Sequence, residues 1–308
     1  MKVICGLNQI KKFNKSVVAL GVFDGVHLAH RRILKETVRI ARRINATSIA
    51  MTFWPHPQGK GSLYSLEHRL RLISQLGIDV CIVVKFNKAF SRIAPEEFIK
   101  QILVKKLRAY YIFVGRNFRF GKAARGDFRT LNRLSCLYNF KVKVFKVIKI
   151  NHRPVSSTYI RRLITKGNLN KAKKLLCQPV SILGTVIRGA SLGKRLGFPT
   201  ANINPHHEVL PPSGVYVVNI IFGNKRLNGL CYIGTKPTFR TQGLQRAAYN
   251  SKNIEVHIFN FKKNIYSRYL EIRFIKKLRN EKRFSSRDAL IKQIKKDIRK
   301  SQSFFSLH

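Results

Sequence analysis

Residues 17–30 read VVALGVFDGVHLAH, and the stretch changes character twice. The run Val17–Leu20 has the length and β-branched content of a buried strand. Gly21 and the Phe23-Asp24-Gly25 turn follow, where glycine admits backbone angles that a side chain forbids. Beyond His27, apolar residues at Ile33, Leu34, Val38, Ile40, Ala41 and Ile44 mark one face of an amphipathic helix. A strand, a glycine turn and a helix N-terminus together make an anion site, because the first amides of a helix have no partner inside it. His27 and His30, three apart, share a face and can donate hydrogen bonds to phosphate oxygens. A single histidine here would read as half-exposed surface and Asp24 as a turn former; the pair in this setting points to chemistry.

The stretch resembles the (H/T)xGH signature of the nucleotidyltransferase superfamily, in the GxFDGxHxGH variant of bacterial FAD synthetases. Ala29 stands where that family has Gly, which narrows the backbone's approach to ATP. The likeness implies an ATP-binding turn formed by Gly21, Phe23, Asp24, His27 and His30.

At 308 residues the chain can hold two ordinary domains. Its 44% hydrophobic and 10% aromatic content describes a folded protein. No apolar stretch is long enough to span a bilayer, and no signal-peptide core precedes Lys11. Cys5, Cys81, Cys136, Cys177 and Cys231 are far apart with no CxxC, as expected of thiols in a reducing cytoplasm and not of a zinc site. Lys and Arg number 61 against 13 Asp and Glu, a net charge of +48. Nucleic-acid binding needs that sign. Here, though, the basic residues are spread along the whole chain, with no basic tail, no RNP-like aromatic motif and no zinc finger. The preferred reading is a background excess on solvated faces, with no specific nucleic acid as partner; it would still attract polyanions such as ATP.

Up to about residue 178, strand-like and helix-like segments alternate. Ala46–Phe53, Val80–Val84, Tyr110–Val114 and Phe140–Val147 read as strands; Ser65–Leu76, a stretch from Pro95, Asp127–Tyr138 and Asn168–Leu176 read as helices. Alternation of this kind predicts a Rossmann-like parallel sheet with helices on both faces and ligands at the carboxyl ends of its strands. Three motifs lie after strands. Thr52-Phe53-Trp54-Pro55-His56-Pro57 is similar to the family's TFxPHP. Gly115 to Gly121, followed by Arg125-Gly126-Asp127, resembles VGxDFRFGxxxxGD, with Asn117 where Asp is frequent. The resemblance implies a flavin-side surface of His56, Pro57, Asn117, Phe118 and Phe120, although one of two alternating phenylalanines can equally point into the core. Val155 to Arg161 resembles the ISSTxxR element that pairs with HxGH, which adds Ser157, Thr158 and Arg161 to the ATP site. Hydroxyls there cap a helix start, and an arginine on its first turn offers a rigid, permanently charged fork.

From Pro179 the pattern changes to short alternating segments, Ser181–Ile187, Gly214–Ile221, Gly229–Ile233, Ile254–Phe259 and Tyr269–Phe274, then a helix Ser286–Lys300. Strands without intervening helices predict an antiparallel β-barrel closed by a terminal helix. The segment from Gly189 to Asn202 is not a P-loop, lacking GxxxxGK[ST]. Its glycines let amides face a polyphosphate, and Thr200 and Asn202 offer neutral oxygens suited to Mg²⁺. As GxxxGxxxGFPTAN it resembles the riboflavin kinase signature, and LP…GVY, IGTKPTF, IEVH, Tyr266 and Arg279-x-Glu281-x-x-Phe284 follow in that family's order. The implied ATP site comprises Gly184, Gly189, Gly193, Lys194, Gly197, Phe198, Pro199, Thr200 and Asn202, with Mg²⁺ on Thr200 and Asn202 and Glu255 as general base.

The likeness covers nearly the whole chain and implies a prokaryotic bifunctional FAD synthetase: residues 1–178 as FMN adenylyltransferase, 179–308 as riboflavin kinase, with riboflavin, FMN, FAD and ATP as ligands. His27, His30 and Arg161 would be catalytic in the first and Glu255 in the second. Two departures stand out: a shorter loop between Pro57 and Arg69, and a longer segment Arg240–Asn253. A nucleotidyltransferase with another acceptor and a basic nucleic-acid binder with vestigial motifs are the alternatives. Oligomeric state is not legible.

Overall fold

Apolar runs bounded by glycine and polar turns become six strands: β1 (Lys2–Cys5), β2 (Ser16–Leu20), β3 (Thr47–Trp54), β4 (Val80–Lys85), β5 (Ala109–Gly115) and β6 (Lys141–Phe145). The computed structural model describes residues 1–57, 62–189, 193, 196–235 and 252–307. All six strands pair in parallel, in the order β1-β4-β3-β2-β5-β6. β2 is buried from end to end, as a strand covered on both faces must be. Val18, Leu20, Ile49, Met51, Ile82 and Ile112 form the heart of the core. The chain leaves β2 toward β3 on one side and returns to β5 on the other. The crevice past the end of β2 is therefore the switch point where such sheets bind ligands.

The connecting helices are α1 (Leu28–Arg43), α2 (Leu66–Ser74), the short α3 (Lys88–Ser91) and α4 (Pro95–Glu97), and α5 (Phe128–Ser135). Ser65 caps α2 by accepting from His68 N at 3.3 Å. α4 runs directly into Phe98–Lys106, whose turns are wider than the expected α-helix, with Leu107 N donating to Ile102 O at 2.9 Å. That widening keeps Ile99, Leu103 and Leu107, four apart, in one buried line. β1 was not expected; it is short and lies at the sheet's edge. A small hairpin, β7 (Lys149–Ile150) and β8 (Arg153–Pro154), precedes α6 (Ser157–Thr165) and α7 (Leu169–Leu176).

Six strands close the barrel: β9 (Ser181–Ile187), β10 (Ala201–Asn204), β11 (Gly214–Phe222), β12 (Lys225–Thr235), β13 (Lys252–Ile258) and β14 (Tyr269–Arg279). Their order is β10-β13-β12-β11-β14-β9, every pairing antiparallel. β10 escapes sequence reading because Ala-Asn-Ile-Asn is short and polar. α8 (Arg287–Ser306) follows, capped by Ser286, and runs past Lys300 because Phe305 packs edge-on against Phe259. The chain divides into two compact units, Met1–Ile160 with Leu175–Cys177, and Arg161–Lys174 with Gln178–His308.

Candidate functional site

In the first unit, the turn after β2 is held by its own residues. Gly25 has φ +80°, and a Cβ there would stand 2.6 Å from Leu63 Cδ1, so only glycine fits. Phe23 and Val26 also take positive φ, which a β-branched residue adopts only when its surroundings enforce it. Asp24 is buried; its Oδ1 accepts from Leu63 N at 2.8 Å and its carbonyl accepts from Ser157 Oγ at 2.8 Å. Asp24 and Ser157 thus fasten the turn that aims His27 and His30.

The two imidazoles stack at 3.6 Å with 16° between their planes, and Phe23 meets His30 edge-on at 5.4 Å. His27 is 4% exposed, His30 keeps part of its surface open, and the Nδ1 atoms of both are buried with no partner among the described residues. Burial pushes His27 down to about 4. Burial first, then His27 and Arg69, hold His30 well below the usual imidazole range. Both rings are neutral at pH 7, so they can stack without mutual repulsion and each keeps one N–H to donate.

On the flavin side, His56 and Pro57 are half-buried just past β3. Phe118 is half-buried and stacks on Phe53 at 6.4 Å and on Phe120 at 5.9 Å. Phe120 is a core residue, so of the two alternating rings Phe118 is the one that reaches the surface. Asn117 and Thr158 are exposed. Arg161 is half-buried on α6, in the stretch that clusters with the second unit.

In the barrel, β13 carries Glu255 opposite Asn202 of β10 and Tyr232 of β12. Thr200 Oγ1 donates to Glu255 Oε2 at 3.1 Å, and Asn253 Nδ2 donates to Oε1 at 2.6 Å. Tyr232 Oη donates to Glu281 Oε1 at 2.5 Å; with burial, that carboxylate pushes the phenol up. Gly189 lies against the Asn202 amide, where any side chain would collide, and a Cβ on Gly193 would fall 2.9 Å from Thr200 Oγ1. Gly197 faces open space, whereas Gly184 is buried against Ile203 and the Asn204 carbonyl, a packing position. Phe198 meets His257 edge-on, and His257 Nδ1 bonds the Pro199 carbonyl at 2.8 Å. Pro199 and Thr200 also border a cavity of ≈ 290 Å³ lined by Val186, Val256, Phe261 and Tyr266. Lys194, the Lys236–Phe239 motif and nearly all of the longer segment Arg240–Asn253 lie outside the described residues, as do 58–61 of the shorter loop.

The family model for FAD synthetase matches residues 9–159 and that for riboflavin kinase matches 176–305. A bifunctional riboflavin kinase/FMN adenylyltransferase of Buchnera aphidicola (subsp. Schizaphis graminum) is 38% identical, covering 100% of both chains. The Escherichia coli K12 enzyme of that name is 34% identical over 100% of this chain and 99% of its own. The chain belongs to the bifunctional riboflavin kinase/FMN adenylyltransferase family. A solved structure from Streptococcus pneumoniae described as a macrolide-efflux protein shares the fold (TM-score 0.81, 26% identity, 98% of this chain and 99% of that one). Among the described residues no helix is long and apolar enough to cross a membrane.

As a member of this bifunctional family, the chain has two residues that sequence reasoning passes over. Asn253, two residues before Glu255 on the same strand face, holds its carboxylate; nothing in the sequence marks it. Arg69 is wholly buried on α2. Its signal is legible in retrospect: it shares the apolar face of the helix with Leu72 and Ile73, three and four residues on.

Proposed function

We propose that residues 179–308 phosphorylate riboflavin to FMN and residues 1–178 adenylylate FMN to FAD, each with its own ATP. In the barrel, Glu255 takes the proton of the ribityl 5′-hydroxyl as its oxygen attacks the γ-phosphorus, and ADP leaves. Thr200 and Asn253 fix the carboxylate for that task, and glycine amides at 189, 193 and 197, with Phe198 and Pro199, cradle the phosphates. The nucleoside lies in the cavity beside Thr200. The hydroxyl of Thr200 and the amide oxygen of Asn202 are hard donors of the kind Mg²⁺ takes, and these two residues would hold it. Bound there, the ion would offset charge on the β- and γ-phosphates.

In the first unit an FMN phosphate oxygen attacks the α-phosphorus of ATP and pyrophosphate departs. The nucleophile is already an anion, so no base is required. His27 and His30 stabilise the charge that builds on the leaving group, and His56, Pro57, Asn117 and Phe118 form the flavin side. The reading places the enzyme in a reducing cytoplasm, which the five free cysteines support. The observation that carries it is the Thr200–Glu255 contact beside the glycine hairpin, a hydroxyl and a base where phosphoryl transfer needs them. Incubation with riboflavin and Mg-ATP, with riboflavin, FMN and FAD separated by chromatography, tests it: FMN then FAD should accumulate. A folded chain that leaves riboflavin unchanged and supplied FMN unadenylylated overturns it.

A further inference from the structure

Arg69 heads the wholly buried side chains of the described residues by volume, and a guanidinium stays charged even there. From α2 it reaches the carboxyl ends of two neighbouring strands. Nη1 donates to Val22 O at 3.0 Å, to Thr52 Oγ1 at 3.2 Å and to Phe53 O at 3.3 Å, while Thr52 Oγ1 donates to Val22 O at 2.7 Å. Its carbon centre lies 5.4 Å from the Trp54 ring. Nε and Nη2 are buried and meet no protein partner among the described residues. Idle donors on a buried cation are destabilising, so packing alone would favour an apolar residue here.

Val22 opens the turn that carries His27 and His30; Phe53 and Trp54 lead into His56 and Pro57. The two carbonyls that Nη1 joins therefore lie at the roots of the two loops assigned above to ATP and to FMN. We propose that Arg69 is a positioning residue for adenylyl transfer, fixing the ATP-side turn against the FMN-side loop and setting a permanent positive charge behind the histidine pair. This inference rests on the adenylyltransferase reading of that site. Transfer requires the attacking oxygen and the phosphorus to meet in line, and a displacement of about 1 Å lowers rates on the order of 100-fold.

The charge has a second consequence. The titratable groups that face His30 are His27 and Arg69; those that face Arg69 are Asp24, Cys81 and His30. A neighbouring cation disfavours imidazolium, so without it His30 protonates more readily and the acid limb of kcat/KM moves to higher pH. Substrate phosphates titrate alike in every variant and cancel in the comparison.

The test compares the full-length chain with Arg69→Met, Arg69→Lys and Thr52→Val, following FAD formation from supplied FMN across pH and FMN formation from riboflavin in the same preparations. Arg69→Met should lower the kcat of adenylylation on the order of 100-fold and move the acid limb to higher pH, with riboflavin phosphorylation unchanged. Arg69→Lys, which keeps the charge but cannot span both carbonyls, should fall about tenfold with its acid limb at the wild-type position. Wild-type adenylylation by Arg69→Met overturns the proposal. So does a slow Arg69→Met whose acid limb has not moved, since a purely structural role lowers rates without shifting a titration. Should Arg69→Met not fold, the near-isosteric Thr52→Val decides: a drop of about tenfold supports the proposal, and a wild-type rate overturns it. A wild-type chain that makes no FAD would sink the adenylyltransferase reading itself, an outcome distinct from any of these.

Discussion

Glu255 is clasped on both oxygens, by Thr200 and by Asn253, so its truncation removes a base already aimed. Glu255→Ala should lower FMN formation roughly 10²–10⁴-fold while FAD formation from supplied FMN stays within about twofold; paired kinase and adenylylation assays read both. The buried histidines carry a different signature. His27 titrates near 4 in the fold against 6.5 in a model peptide, so between those values the unfolded chain binds the extra proton. Its contribution to stability is present above about pH 6.5 and is lost as pH falls toward 4, about 3 kcal/mol in all. Urea unfolding of the first unit at pH 7 and pH 4.5 should show that loss in the wild type and a smaller one in His27→Gln. At this scale the sequence exposed His27, His30 and Glu255 because each sits in a spaced motif. Arg69 was hidden as one of 61 basic residues, its meaning visible only once α2 had a buried face.

Elements were legible where hydrophobic period and punctuation agree. β2, α1 and β9 fall within a residue or two of expectation, since their apolar periods are long and clear. β1 and β10 were not legible: four residues carry too little period, and pairing with neighbours makes the strand. The wide turns of Phe98–Lys106 depend on tertiary alignment of Leu103 and Leu107, which no local signal encodes. The attachment of α8 is equally non-local. Asp297 Oδ2 accepts from Arg279 Nε at 2.8 Å and Oδ1 from Gln293 Nε2 at 2.8 Å, with both ionic side chains largely buried. Asp297→Ala leaves the guanidinium uncompensated and should destabilise the barrel unit by about 3 kcal/mol in urea unfolding. The double change Arg279→Met with Asp297→Leu should recover most of it, because two apolar side chains need no partner.

Across the whole molecule, two chemistries on one chain can be separated without cutting it. Neither His30→Ala nor Glu255→Ala alone should carry riboflavin to FAD, yet an equimolar mixture should, because FMN released by the first chain serves the second. Chromatography of the mixture against each variant alone reads this, and failure of the mixture with both variants folded would mean that FMN never leaves the chain that makes it. The net charge of +48 acts at this scale as well, drawing in phosphorylated ligands and weakening with salt.

The two sheets also differ in what they leave unfinished. Among the described residues the barrel's strands close on one another in a full circle, so no strand of it is an edge strand. The parallel sheet stops at β1 and β6. Lys141 and Lys143 guard the latter, while β1 shows an exposed Val3 beside its single Lys2. In concentrated or heated samples, self-association through strand addition therefore begins at the N-terminal margin, and a charged residue in place of Val3 is the change that would keep the protein dispersed.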